Sequence, residues 1–227
     1  MLRWETCRGA QTATFACDNN DNVSTLVASL LAPAGLTSVL AAEVGVDIVG
    51  SAGIALPDWW RFDDGACRGD DPLSGGISSL SVLAPRVLPG TNPCELSAFG
   101  VGATYLLTKV EYPADGQINR ERLHIVVVTS APQTLIPGLL YRLFELAVDW
   151  QKTIFEGDPV CPGCSGDVGV ELNSVKLYQG TCVDPVLADA VGQATAEAGN
   201  VIVDYPASLG DNQAFANGGP ASVGGRE

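Results

Sequence analysis

An all-β chain is what this sequence predicts: a β-sandwich or jelly-roll-like domain with disulfides and an extended C-terminal arm. Three observations carry the expectation. Over the first 180 residues, β-prone stretches are punctuated by clusters of Gly, Pro, Asn and Asp. Several of those stretches alternate apolar and polar residues with a period of two, as half-buried strands do. Seven cysteines accompany a single histidine, a ratio that suits disulfides better than a mixed Cys/His metal site.

The predicted strands are Leu2 to Thr6, Thr12 to Cys17, Ser24 to Ala32, Ser38 to Val49, Gly76 to Leu83, Val101 to Glu111, Arg122 to Ser130, Leu139 to Gln151 and Val168 to Tyr178. Turn chemistry separates them, as at Asp18-Asn19-Asn20-Asp21-Asn22, Pro33-Ala34-Gly35, Pro89-Gly90 and Pro113-Ala114-Asp115-Gly116. The stretch Leu139 to Gln151 is ambiguous. Leu140, Phe144 and Ala147 suit a helix face, while either alternating set suits a strand. The preceding Pro137-Gly138 and the β-rich neighbours make it a strand. In the last strand Val168, Val170 and Leu172 alternate, then Val175 and Leu177, with a slip at Asn173 that reads as a bulge.

The balance of charge narrows the function. Asp and Glu number 26 against 12 Lys and Arg, a net charge of -14. A protein that neutralises phosphates carries the opposite sign, so nucleic acid is excluded as a partner. Direct binding to an anionic membrane is disfavoured for the same reason, and no apolar run reaches the roughly 18 residues of a membrane span. The chain begins without an apolar signal-peptide core. With its cysteines, this leads us to expect the mature form of a secreted protein, in an oxidising extracellular compartment.

The segment Val160-Cys161-Pro162-Gly163-Cys164-Ser165 admits three readings: a thiol redox motif, half of a zinc site, or a disulfide-closed turn. A redox motif needs a helix N-terminus to acidify its first thiol, and a strand pattern follows here instead. A four-cysteine zinc site would need a second close pair, which is absent. A small disulfide closing a turn before a strand is expected. Six cysteines then form local pairs, Cys7 with Cys17, Cys67 with Cys94 and Cys161 with Cys164. Cys182 is left over, as a free thiol or a link to another chain.

Candidate site residues are few. Trp59 and Trp60, in Leu56-Pro57-Asp58-Trp59-Trp60-Arg61-Phe62, read either as an aromatic patch that stacks sugars or as a cap on one end of the core; the cap is favoured. Asp18, Asn20 and Asn22 alternate as hard oxygen donors at the start of a calcium loop do, although the Gly and bidentate Glu of an EF-hand do not follow. Asp63, Asp64, Asp70 and Asp71 form a second acidic stretch. Calcium is the one cofactor these loops suggest, and the plain alternative of solvated Asx-rich turns is favoured over it. Asn22-Val23-Ser24 matches a glycosylation sequon. His124 lies in a strand and reads as structural. No nucleophile elbow, phosphate loop or metalloprotease helix occurs, so no enzyme is expected.

Trp4-x-x-Cys7, Phe15-x-Cys17, Leu56-Pro57-Asp58-Trp59-Trp60, Cys67-Arg68, Cys161-x-x-Cys164 and Val170-x-Leu172-Asn173-Ser174-Val175 occur in this order. Together they resemble a family of uncharacterised secreted bacterial proteins, over roughly residues 2 to 180. The resemblance implies a signal peptide on the precursor but no activity. Its strand pattern is similar to cohesin-like sandwiches, a likeness of fold alone.

After Cys182 the composition changes. Residues 183–227 contain no Lys and a single Arg, Arg226, and are expected as an Ala/Gly-rich arm beyond a sandwich domain of residues 1–182. Within it Val201, Ile202, Val203 and Tyr205 mark a β-prone segment at 201–205 suited to contact a neighbouring subunit by strand addition, against the alternative of a tail that folds back on its own domain. The expected function is a non-enzymatic extracellular structural protein, self-assembling into a filament or surface layer with copies of itself as partners. One alternative is a monomeric adhesin or carbohydrate-binding module using Trp59, Trp60 and calcium, with polysaccharide as partner. The other is a viral jelly-roll shell protein.

Overall fold

The computed structural model describes residues 1–63, 65–69, 79–83, 103–111, 118–157, 159–180, 201–204 and 213–217; of residues 105, 108–111 and 201–204 only the backbone is described. Eleven strands run through these residues: β1 (Leu2–Trp4), β2 (Thr12–Ala13), β3 (Val23–Leu31), β4 (Val39–Val49), β5 (Leu80–Leu83), β6 (Thr104–Glu111), β7 (Arg120–Gln133), β8 (Leu140–Asp149), β9 (Val168–Gln179), β10 (Val201–Asp204) and β11 (Gln213–Ala216). A 3₁₀ turn at Asp58–Trp60 is the sole helical element among the described residues.

The strands form two sheets, as the sequence predicts for a sandwich. One has the order β1-β3-β8-β5; the other runs β2-β11-β9-β4-β7-β6, with β10 also on β9. Their facing sides share one core. Leu26, Ala28 and Leu30 of β3 and Phe144, Leu146 and Val148 of β8 meet Val44, Val46 and Ile48 of β4, Leu123, Ile125 and Val127 of β7, and Val168, Val170 and Leu172 of β9. Such interdigitated aliphatic faces are the main stabilising term of a sandwich.

Alternation holds where expected. On β7, Leu123, Ile125 and Val127 are fully buried, while His124 and Val126 are half-exposed on the other face. The slip in β9 is a bulge: Leu172 pairs with Val46 and Ser174 with Gly45, leaving Asn173 unmatched. That extra residue keeps Val175 and Leu177 turned inward, both fully buried. Strand β8 is buried along almost its whole length. Its outer side holds a buried Arg142–Glu145 ion pair at 2.9 Å, and Val27 beside it packs with Cys7. A strand covered on both faces has no polar stripe, and this is why periodicity alone could not distinguish it from a helix.

Some predicted elements are shorter than expected. Leu2 to Thr6 ends at Trp4, because Glu5 adopts a left-handed φ of 62°. Thr12 to Cys17 keeps only two residues of strand, and Cys17 has φ 56°. Residues 76–78 and 101–102 lie outside the described residues.

Candidate functional site

Two features stand apart from the ordinary sandwich: the way the C-terminal segment completes a sheet, and a disulfide knot at the end of the sandwich where that segment is anchored.

Strands β10 and β11 lie in tandem along one edge of β9, both antiparallel to it. Val201 to Asp204 pair with Leu177 to Ser174, and Gln213 to Ala216 pair with Glu171 to Val168. The two strands thus continue one another along the same edge of β9. Strand β11 does more than cover an edge. It also pairs in parallel with β2, Phe215 opposite Thr12 and Ala216 opposite Ala13, and so is intercalated between β2 and β9. Ala214 and Ala216 are fully buried. The Trp4 indole N–H donates to the Phe215 carbonyl at 2.8 Å. Asn217 closes the strand. Its Oδ1 accepts the Phe15 N–H at 2.8 Å, and its Nδ2 donates to the carbonyls of Cys164 at 2.9 Å and Gly166 at 3.2 Å. Asn217 sits at φ 56°, a left-handed conformation that asparagine tolerates better than most residues.

Phe15, Trp59, Trp60 and Trp150 form the knot, with ring centroids 5.0–5.9 Å apart and Trp4 against Phe15 at 5.5 Å. Arg68 is buried among them, its guanidinium 3.7 Å from the Trp59 ring. It donates to the carbonyls of Trp59 at 3.0 Å, of Ser79 at 3.3 Å and of Asp149. Burial lowers its pKa to about 9, against a smaller opposing pull from Asp149. The disulfides Cys17–Cys164 and Cys67–Cys161 tie the turn at 161–164 to two separate segments.

The local pairing expected from the sequence is therefore corrected. Cys161 and Cys164 do not bond each other, nor does Cys17 bond Cys7 or Cys67 bond Cys94. The reason is packing. The Trp59 N–H donates to the Pro162 carbonyl at 2.9 Å, so the turn is drawn onto the Trp59-Trp60 segment and its two thiols meet cysteines brought there by the aromatic cluster. Cys7 is also disulfide-bonded; Cys94 and Cys182 lie outside the described residues. Gly163 has φ 95°, and a Cβ there would come within 2.5 Å of the Pro57 Cβ. Gly163→Ala is expected to cost about 2–4 kcal/mol, from the left-handed backbone and the clash together. Thermal unfolding of the purified variant measures it.

Glu121 is a buried carboxyl beside the knot. Both its oxygens lie 3.0 Å from the Phe62 N–H, yet desolvation dominates and raises its pKa from 4.5 to about 8. A carboxyl whose folded pKa is raised stabilises the fold when protonated. Stability is then lost as pH rises from about 4.5 to about 8, on the order of 3 kcal/mol by pH 7. Glu121→Gln keeps an acceptor for Phe62 and removes the charge. Denaturant midpoints between pH 5 and pH 8 should fall for the native chain and flatten for the variant.

The other predicted residues are placed as follows. Trp59 and Trp60 are fully buried and donate to Thr153 Oγ1 at 2.9 Å and to the Cys164 carbonyl at 3.3 Å. They cap the core, and the surface patch for sugars is not formed. Asp18, Asn20 and Asn22 share one loop. The Asn20 Oδ1 accepts from the backbone N–H groups of Thr153 and Ile154, its Nδ2 donates to the Ile154 carbonyl and to Glu156, and the Asn22 carbonyl accepts the Trp150 N–H at 2.8 Å. Asn20 thus latches the loop to residues 153–156. Among the described residues no group of three or more His, Cys, Asp or Glu is placed to hold a metal ion. Asp64, Asp70, Asp71 and Tyr205 lie outside the described residues. Val201, Ile202 and Val203 are strand, as predicted, and lie on β9 of their own chain. Gln213 to Asn217 went unrecognised. The faint signal was the alternation Gln-Ala-Phe-Ala, and alanine is a poor strand former.

No helix among the described residues is long and apolar enough to cross a membrane. Comparison with protein-family models, with curated proteins and with solved structures found no match to this chain.

Proposed function

We propose that the chain is a non-enzymatic extracellular structural protein whose copies join by exchanging their C-terminal strands. One observation carries this reading: β11, near the end of the chain, is an inserted strand that completes the sheet between β2 and β9. An identical segment from another copy offers the same partners, so exchange loses no contact. Gly180 and Val201 are separated by about 20 residues, which reach roughly 66 Å when extended, enough to cross to a neighbour. The cross-linked knot supports the extracellular assignment, since such disulfides persist in oxidising compartments. Burial of Trp59 and Trp60 removes the platform on which the carbohydrate-binding alternative rested. Calcium remains an expectation attached to the Asp18-to-Asn22 loop, tested by melting with and without chelator.

The exchange has a direct test. Lys176 and Ile202 are register partners on β9 and β10. In the double variant Lys176→Cys with Ile202→Cys, an exchanged strand gives covalent multimers on a non-reducing gel. A cross-link confined to single chains, in material that is assembled by light scattering, overturns the reading.

A further inference from the structure

Asn217 ends β11 with a side-chain amide bonded through both its oxygen and its nitrogen, and Gly218 follows it in the chain. It is the only asparagine of the sequence that precedes a glycine. An Asn-Gly pair carries a reaction of its own. The backbone nitrogen of the second residue attacks the side-chain amide carbon of the first, and glycine, with no Cβ, leaves that nitrogen open to the approach. A bond forms between the nitrogen and Cγ, the bond from Cγ to Nδ2 breaks, and ammonia departs with the proton of the attacking N–H. The cyclic imide then takes up water. Opening at one carbonyl gives aspartate; opening at the other gives isoaspartate, in which the main chain runs through the former side chain. No electrons are transferred, and water is the sole co-reactant.

The docked strand opposes this reaction. Asn217 Oδ1 accepts the Phe15 N–H at 2.8 Å. Nδ2, the atom that must leave, donates to the carbonyls of Cys164 at 2.9 Å and of Gly166 at 3.2 Å. An amide fixed at three points cannot turn its carbon onto the following nitrogen without giving up those bonds. The Cys17–Cys164 disulfide ties together the two segments that supply them, so the cradle is itself held shut. Protection therefore lasts as long as β11 stays in place, and strands near a chain terminus are among the first to open locally.

We infer that Asn217 is a self-modifying site: its amide is preserved while β11 is docked, and opening of the strand exposes it to conversion into aspartate or isoaspartate, after which the strand docks poorly. The chemistry of the product makes the step one-way. A carboxylate has no N–H to offer. It would face the Cys164 and Gly166 carbonyls, both acceptors, and leave them unpaired beside a new negative charge in a chain already at -14. Isoaspartate also lengthens the main chain by an atom directly after Ala216. Loss of the two donated bonds is expected to lower the ratio of docked to open strand roughly ten- to a hundredfold. The inference goes beyond strand exchange, since it holds whether the strand docks on its own chain or on a neighbour.

The test ages the full chain and, separately, a synthetic peptide of residues 199–220 at pH 8 and 37 °C. Peptide mapping by mass spectrometry follows the amide-to-acid conversion at Asn217. The free peptide sets the unprotected rate. The full chain should convert at least roughly tenfold more slowly, and faster in urea too dilute to unfold the core. Equal rates in chain and peptide overturn the protection, and a peptide that does not convert overturns the site. The variant Asn217→Asp stands for the product. It should melt below the native chain and take up added 199–220 peptide more readily than the native chain does. A variant as stable as the native chain, and no more open to the peptide, overturns the one-way step. Should Asn217→Asp fail to fold, ageing gives the same reading. The melting temperature of the native chain should fall in step with conversion at Asn217, whereas Gly218→Ala, whose added Cβ hinders the attack and leaves Asn217 in place, should keep both its amide and its melting temperature. A fall without conversion at Asn217, or one that Gly218→Ala shares, overturns the inference.

Discussion

Replacing Cys161 and Cys164 together with serine is expected to leave the chain unfolded at 25 °C. The bond Cys67–Cys161 closes a separation of 94 residues, for which chain entropy gives about 4.7 kcal/mol. Cys164 lies three residues beyond Cys161, so the second bond adds a loop of about 50 residues between Cys17 and Cys67, worth about 4 kcal/mol by the same relation. Their sum, about 8–9 kcal/mol, falls within the whole net stability of ordinary domains, about 5–15 kcal/mol. A bond between Cys161 and Cys164 themselves would close only a tight turn and give about 2 kcal/mol, so the two pairings differ in a measurable way. Far-ultraviolet circular dichroism and guanidinium titration, with and without reductant, give the comparison. Digestion without reduction should release peptides cross-linked 17 to 164 and 67 to 161. Native-like melting after full reduction would show that packing alone holds the knot, and would remove a main support for an extracellular setting.

What could be read from the sequence followed from local physics. Leu123-His124-Ile125-Val126-Val127 declares a half-buried strand by alternation, and the broken alternation at Asn173 declares a bulge. Both are visible because one face of the sheet is apolar and the other is not. The disulfide pairing was not legible. Nearness in sequence favours Cys161 with Cys164, whereas the pairing depends on which segments the aromatic cluster gathers, a long-range property. Strand β11 was hidden for a related reason. Gln213-Ala214-Phe215-Ala216 has weak intrinsic preference, and its strand state is imposed by distant partners: Val168 to Glu171 of β9 on one side and, some 200 residues away, Thr12, Ala13, Trp4 and Phe15 on the other. The aromatic pair Trp59-Trp60 was legible in composition but not in exposure, since a buried cap and a surface platform use the same residues.

Ending the chain after Cys182 is the second change with a large expected effect. It removes β10 and β11 together. Two buried donors outside the strand ladders lose their partners, the Trp4 indole N–H and the backbone N–H of Phe15, both on residues at most 3% exposed. Each buried donor left unpaired costs about 1–3 kcal/mol. The groove that held Ala214 and Ala216 opens, and β2 loses the strand it pairs with. Against this, freeing the segment regains conformational entropy, so a net loss of about 4 kcal/mol is expected, read from denaturant unfolding of truncated and full chains. The truncated chain also presents the bare N–H and C=O groups of Val168 to Leu177 on β9, an open edge that pairs with any suitable strand. A synthetic peptide of residues 199–220 should therefore restore the melting temperature of the truncated chain in a concentration-dependent way, as a ligand that binds only the folded state must. Restoration would show that the strand acts equally well when supplied from outside the chain, the property strand exchange requires. A truncated chain as stable as the full one and indifferent to the peptide would show that β11 is dispensable, and assembly through it would have no energetic basis.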